Sequence, residues 1–399
     1  MKHPHPAAML AQAPHRAAFL PGMLFAILLL AAWSAELASR LLGVHAALTV
    51  PASLAHGFLM LFGFFPLFMT GFLFTAGPRW LGVEPPGRVI FIGVPALLVA
   101  GLLLWLAGLW LGMAWTLAGH ALYTLGFSGL MLTFACLLLA SPQPDRRHAC
   151  AVLAALCCGV LALLAGGYWL LFQDGRGWLW MRNLALWGFL LPVFLSVCHR
   201  MLPFFSANAL PLYQPWRPGW LLAAMLAGSL GHGLLDGFGL PAWPLDAAMA
   251  ALLAYVSWRW RLVAALRVRL LGMLHLAFAW LPIGFGLYAL NGWLASPRLA
   301  LAALHAVTVG FFLTMMIAFV SRVTLGHSGQ PLQAGTGLWR LYLAAHWLAL
   351  TRVATEMLPG VWSGWLYGAA ALGWLLTLAA WGRAFLPSYW RPRSDGKPG

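Results

Sequence analysis

Charge is scarce in this sequence, and acidic charge is scarcest: 8% of its 399 residues are charged, and Asp and Glu together number eight. A soluble domain carries roughly 25% charged residues. A chain with so few cannot cover a surface that faces water. Lysine is confined to Lys2 and Lys397, so all but two of the 23 basic residues are arginine. The arginines stand singly or in short groups between apolar runs. No tail or face collects enough of them to track a phosphate backbone, which excludes nucleic acid as a partner despite the net charge of +15. The five cysteines, Cys136, Cys150, Cys157, Cys158 and Cys198, form no Cys-x-x-Cys pair, which excludes a disulfide framework. Cys198-His199 remains as a soft-ligand dipeptide, with packing the plainer role. Glu36, Asp174, Asp236, Asp246 and Glu356 fall near predicted helix ends, and Glu84, Asp145 and Asp395 outside them. No chain of intramembrane acids marks a proton-coupled transporter.

What is present is apolar: 62% of the residues are hydrophobic. Runs of about twenty apolar residues, the length a spanning helix requires, recur from end to end. Spans are expected near 18–38, 52–76, 89–111, 115–140, 149–172, 179–201, 219–239, 243–262, 270–293, 299–321, 338–358 and 363–384. The connections are short and punctuated by Pro and Gly, as in Glu84-Pro85-Pro86-Gly87. The expected fold class is all-α: a polytopic membrane helix bundle of about twelve transmembrane helices, one domain over 1–399, with tails at 1–17 and 385–399. The first apolar run is longer than a signal-peptide core and reads as a retained helix. Placing both termini in the cytoplasm leaves Arg40, Arg176, Arg182, Arg298 and Arg352 outside and the other 18 of the 23 basic residues inside. That is the asymmetry a multi-pass protein shows. The 23 tryptophans read mostly as an interfacial belt, and the Met315-Met316 pair as packing, since adjacent residues face different ways on a helix.

Histidines carry the chemistry. His56, His120 and His305 each lie a few residues into a helix descending from the outer face, with His232 in the outer half of an ascending one. His199, His275 and His327 lie toward the cytoplasmic face, and His346 somewhat deeper. Neutral imidazole suits haem iron and copper. The plainer role of any single one is an interhelical hydrogen bond. The spans at 115–140 and 299–321 share a weak His…Gly-Phe likeness, His120 to Phe127 and His305 to Phe311, consistent with a parallel repeat.

The stretch His305-Ala306-Val307-Thr308-Val309-Gly310, then Thr314-Met315, then Ser321-Arg322-Val323-Thr324-Leu325-Gly326-His327-Ser328-Gly329-Gln330-Pro331-Leu332, resembles the signature of the NnrS family. The run from Arg269 through His275 to Leu281 is similar to the family's preceding helix. His56 with Met60-Leu61-Phe62-Gly63-Phe64, and Leu202-Pro203-Phe204-Phe205 with Asn208, resemble two further landmarks. The resemblance implies a multi-pass protein of the bacterial inner membrane that holds haem and copper. It also implies a link to nitric oxide metabolism and resistance to nitrosative stress, with nitric oxide or an iron–nitrosyl species as small ligand. Relatives commonly read Trp-His-x-His-Glu-Met on the second helix, where this chain reads Ala55-His56-Gly57-Phe58-Leu59-Met60, lacking one histidine and the glutamate. Within this frame the cofactor-binding candidates are His56, His305, His275, Arg322 and His327, and the metal candidates are His56, His120 and His305. Arg322 is placed to meet a haem propionate. Two other classes stay open. A transporter would show broken helices, for which Pro66 and Pro282 are candidates. A divergent nitric oxide reductase or haem–copper oxidase would show adjacent His-His or His-x-His sets within a span, and none occurs. Whether the protein turns over a substrate is open at this stage.

Overall fold

The computed structural model describes residues 9–44, 47–358 and 360–396. Lys2 and Lys397 of the charge count, and His3 and His5 of the tail, lie outside the described residues. Among those described the chain is helical throughout, with no strand. Twelve rods follow one another: α1 Pro14–Leu41, α2 Ala52–Leu81, α3 Arg88–Leu111, α4 Met113–Leu139, α5 Arg147–Phe172, α6 Gly175–Ala209, α7 Gly219–Gly237, α8 Trp243–Arg259, α9 Arg269–Leu294, α10 Pro297–His327, α11 Thr336–Thr355 and α12 Gly360–Phe385. Nine of them, all but α7, α8 and α11, are long and apolar enough to cross a membrane. Short connections make neighbours antiparallel, so α2, α6 and α10 run the same way. Two of the connections are shorter than the sequence suggests. Helix α6 continues to Ala209 and α10 to His327, so Arg200 and Arg322 sit within helices.

The rods form two populations. Helices α2, α6, α9 and α10 touch one another in a ring at the centre, and each is interrupted midway. In α2 the break falls at Gly63-Phe64. A Cβ at Gly63 would stand 2.2 Å from Leu29 Cδ1 and 2.4 Å from the Leu59 carbonyl oxygen, so only glycine fits. Pro66 follows and has no N–H to offer the Phe62 carbonyl. The Tyr123 hydroxyl of α4 donates to that carbonyl instead. In α9 the break is at Ala279, three residues before Pro282. The candidate prolines do mark broken helices. Helices α6 and α10 carry π-helical segments, Leu184–Leu190 and Ala306–Leu313, each nine residues after the helix begins.

The surrounding helices are regular and pack through small residues. A Cβ at Gly108 of α3 would meet the Thr116 backbone nitrogen of α4 at 2.3 Å. One at Gly119 of α4 would meet the Trp105 nitrogen of α3 at the same distance. The two backbones therefore lie in direct contact, as small-residue stripes allow in membranes.

Candidate functional site

His56 and His305 stand near the starts of α2 and α10, two parallel helices of the central ring. Each lies within electrostatic range of Arg352 on α11, and His305 within range of His56. His56 stacks on Trp33 of α1, ring centroids 3.8 Å apart at 21°. Its Nδ1 is buried and has no hydrogen-bond partner. A neutral imidazole always keeps one unprotonated nitrogen, so His56 has an unused lone pair in either tautomer. His305 Nδ1–H donates to the Leu301 carbonyl at 2.8 Å, which fixes the proton on Nδ1 and leaves the Nε2 lone pair open. A metal-ligating histidine commonly shows this backbone anchor. Behind the pair, Arg352 bonds Glu356 at 2.6 Å and lies over the Tyr367 ring, whose hydroxyl donates to the same carboxylate at 3.0 Å. That network holds Arg352 in place, and a second cation, Arg40, lies over the Trp33 ring at 5.2 Å.

The other candidates lie elsewhere, each with its own partner. His120 Nε2–H donates to the Leu163 carbonyl of α5 at 2.7 Å, and Gly166 and Gly167 cradle its ring. It holds α4 to α5, although its Nδ1 is buried without a partner. His275 meets Ser206 Oγ of α6 at 2.9 Å. The His327 ring lies 4.4 Å from that of His15, and its carbonyl accepts from Arg393 at 3.1 Å. Arg322 lies 3.9 Å over the Phe205 ring and forms no ion pair with a carboxylate among the described residues. His346 Nδ1 accepts from Trp280 Nε1–H at 2.8 Å, which occupies its lone pair.

Sequence reasoning missed two arrangements. His232 Nδ1–H donates to Asp246 at 2.6 Å with both side chains buried, so Asp246, in the first turn of α8, also belongs to the interior. His148 Nε2–H donates to His199 Nδ1 at 2.9 Å, and His199 Nε2–H donates to the Pro218 carbonyl at 3.2 Å, a relay across the starts of α5 and α7. No spacing along the chain signals either pair.

A family model described as NnrS protein matches residues 9–393. The chain belongs to the NnrS family. A search of curated proteins gives no match. With nine helices apolar and long enough to cross a bilayer, this NnrS protein is a multi-pass membrane protein whose outer helix faces meet lipid. Where the family's second-helix motif has its second histidine, Phe58 stacks on Trp105 at 4.9 Å and lies 5.4 Å from the His120 ring. Among the described residues no three of His, Cys, Asp and Glu converge as a metal site. Haem iron needs only one or two imidazoles, and His56 and His305 each present an open nitrogen. Copper held by three protein donors does not fit these residues.

Proposed function

We propose that this protein binds haem in the bacterial inner membrane and handles nitric oxide there, contributing to nitrosative-stress resistance. The observation that carries the reading is the pair of unused imidazole lone pairs on α2 and α10, on parallel helices and within electrostatic range of one another. His56 and His305 are the residues to hold the iron, with His275, or an inner site near Arg322 and His327, as the alternative position. Bound haem iron supplies a coordination site for a diatomic ligand. The chain's own contribution is to orient the rings: the Leu301 carbonyl sets the His305 tautomer, and Trp33 holds the plane of His56. Arg322, over the Phe205 ring and about 25 Å along α10 from His305, suits a propionate of a haem in the inner position only. Copper on His56, His120 and His305 is not part of the proposal, because those three do not converge among the described residues.

All twelve rods count as spans in this reading, with both termini cytoplasmic and with the exposed Leu234 of α7, Trp258 of α8 and Trp347 of α11 facing lipid. The Arg and Lys asymmetry supports that orientation. Reporter fusions after Arg147 and after Gly175 should report opposite sides, and the same side for both sinks the twelve-span arrangement. A transporter is the second reading, favoured by the breaks in α2 and α9. The half-helix ends in α2 are sealed by Tyr123 and flanked by phenylalanines, which offers a polar substrate nothing. The deciding experiment is a visible spectrum of the purified protein, oxidised, reduced, and reduced with nitric oxide. A Soret band that shifts on adding nitric oxide is expected. No Soret band in protein made with ample haem moves the weight to transport.

A further inference from the structure

A chamber lies between α2, α6 and α10, with Phe19 of α1 closing one side. On all three helices it begins just past the irregular segment: at Phe65 after the break in α2, at Val193 after the π segment of α6, and at Met316 after that of α10. Because the three run parallel, the disturbances stand at one level and the chamber at the next. π-Helical segments recur at functional sites, and three interrupted helices side by side pack less closely below the interruption than regular ones. Every residue lining the chamber is apolar, among them Phe68, Phe194, Val197, Phe319 and Val320. All are buried except Phe72 and Val323, which stand half-buried at its rim.

The free space is about 60 Å³, several times the roughly 15 Å³ a single water needs. A buried water also needs two to four polar partners, and this lining has no N–H, hydroxyl or carbonyl side-chain group to provide them. An apolar cavity of this kind stays dry and takes apolar guests. The space is well below the roughly 150 Å³ of a cavity that admits benzene, so a porphyrin or a lipid chain does not fit within it.

We propose that this chamber binds small neutral molecules of the size of a diatomic gas. It lies along the same helices as the histidine pair, nine residues on from His56 in α2 and eleven from His305 in α10. Its service to nitric oxide rests on the haem reading above; its capacity to hold a gas does not.

The test is xenon binding to the full-length protein in detergent, followed by xenon NMR at rising pressure. One saturable site is expected in the wild type. It should be lost in Val197→Phe and in Val320→Phe, which fill the chamber from two different helices, and kept in Val89→Phe on the exposed face of α3. No saturable site in the wild type overturns the proposal, and so does a site unchanged by both filling substitutions. Since the wild-type measurement needs no variant, misfolding of either one does not rescue the idea. Recording the haem spectrum on the same samples separates the two readings: xenon bound without any Soret band sinks the haem assignment alone.

Discussion

The four central helices and the five at the periphery differ in burial and in regularity together. Over their most apolar stretches α2, α6, α9 and α10 are 83, 83, 67 and 78% buried, whereas α1, α3, α4, α5 and α12 range from 33 to 44%. Every helix of the first set is broken or π-helical midway, and none of the second set is. The reason lies in the solvent. A helix facing hydrocarbon must satisfy every backbone group internally, whereas one surrounded by protein can borrow donors from its neighbours. Tyr123 serves the Phe62 carbonyl in this way, and Ser229 serves the Trp187 carbonyl within the π segment of α6, at 2.7 Å. Irregularity is therefore tolerated only at the centre, which is also where His56, His305 and the apolar chamber are found.

The sharpest way to break that comparison is Gly63→Leu. With Leu29 and the Leu59 carbonyl inside 2.5 Å of a new Cβ, overpacking should cost about 3 kcal/mol or more, seen as a large fall in thermal stability in detergent. Gly93→Leu on α3, where nothing lies within 4 Å, should leave stability nearly unchanged. Equal effects at the two sites would contradict the division into inner and outer helices. Tyr123→Phe comes next: it leaves the Phe62 carbonyl without its donor and should cost roughly 1–3 kcal/mol. A neutral outcome would mean that the break in α2 supports itself. A smaller effect is expected for Arg322→Ala: only if the haem takes the inner position should it lower haem occupancy more than Arg340→Ala at the far end of the same connection. Matching small losses would make Arg322 an interfacial side chain only.

The smallest effect belongs to the exposed connection before α5. There Arg147 bonds Asp145 at 3.0 Å and holds its carboxyl well below the usual carboxylate range. A depressed carboxyl adds stability above its ordinary pKa near 4 that is lost as the pH falls. Since the pair is open to solvent, screening leaves little of it. Arg147→Ala should therefore alter stability only marginally above pH 5, and no difference from the wild type should remain in strong acid. A large pH-dependent loss would mean that this connection matters more than the bundle it joins.

Much of this arrangement was legible in the sequence. Twelve apolar runs became twelve rods, nine of them long and apolar enough to cross a bilayer, and Pro66 and Pro282 flagged the two broken helices. The π segments were not legible, since a widened turn depends on what packs against it and not on its own residues. Depth grouped His56, His120 and His305 into one layer, yet among these only His56 and His305 lie on central helices. Counting along a helix gives height but not the direction a side chain takes, and His120 turns toward Leu163 of α5. For the same reason His148 and His199, and His232 and Asp246, became pairs only once the helices were placed. Arg322 and His327 could be quoted from a motif, but Phe205 and His15 as their neighbours could not.

The most direct test of the account is the Soret band in four variants carried in membrane-inserted protein: His56→Ala, His305→Ala, His120→Ala and His275→Ala. His56 and His305 each keep an open nitrogen near the starts of two parallel central helices, while His120, whose Nδ1 is also unpartnered, lies on the outer helix α4 and is bonded to α5. The account predicts that His56→Ala and His305→Ala each abolish or shift the band, and that His120→Ala leaves its position unchanged. It is contradicted if both His56→Ala and His305→Ala keep the wild-type spectrum while His275→Ala loses it.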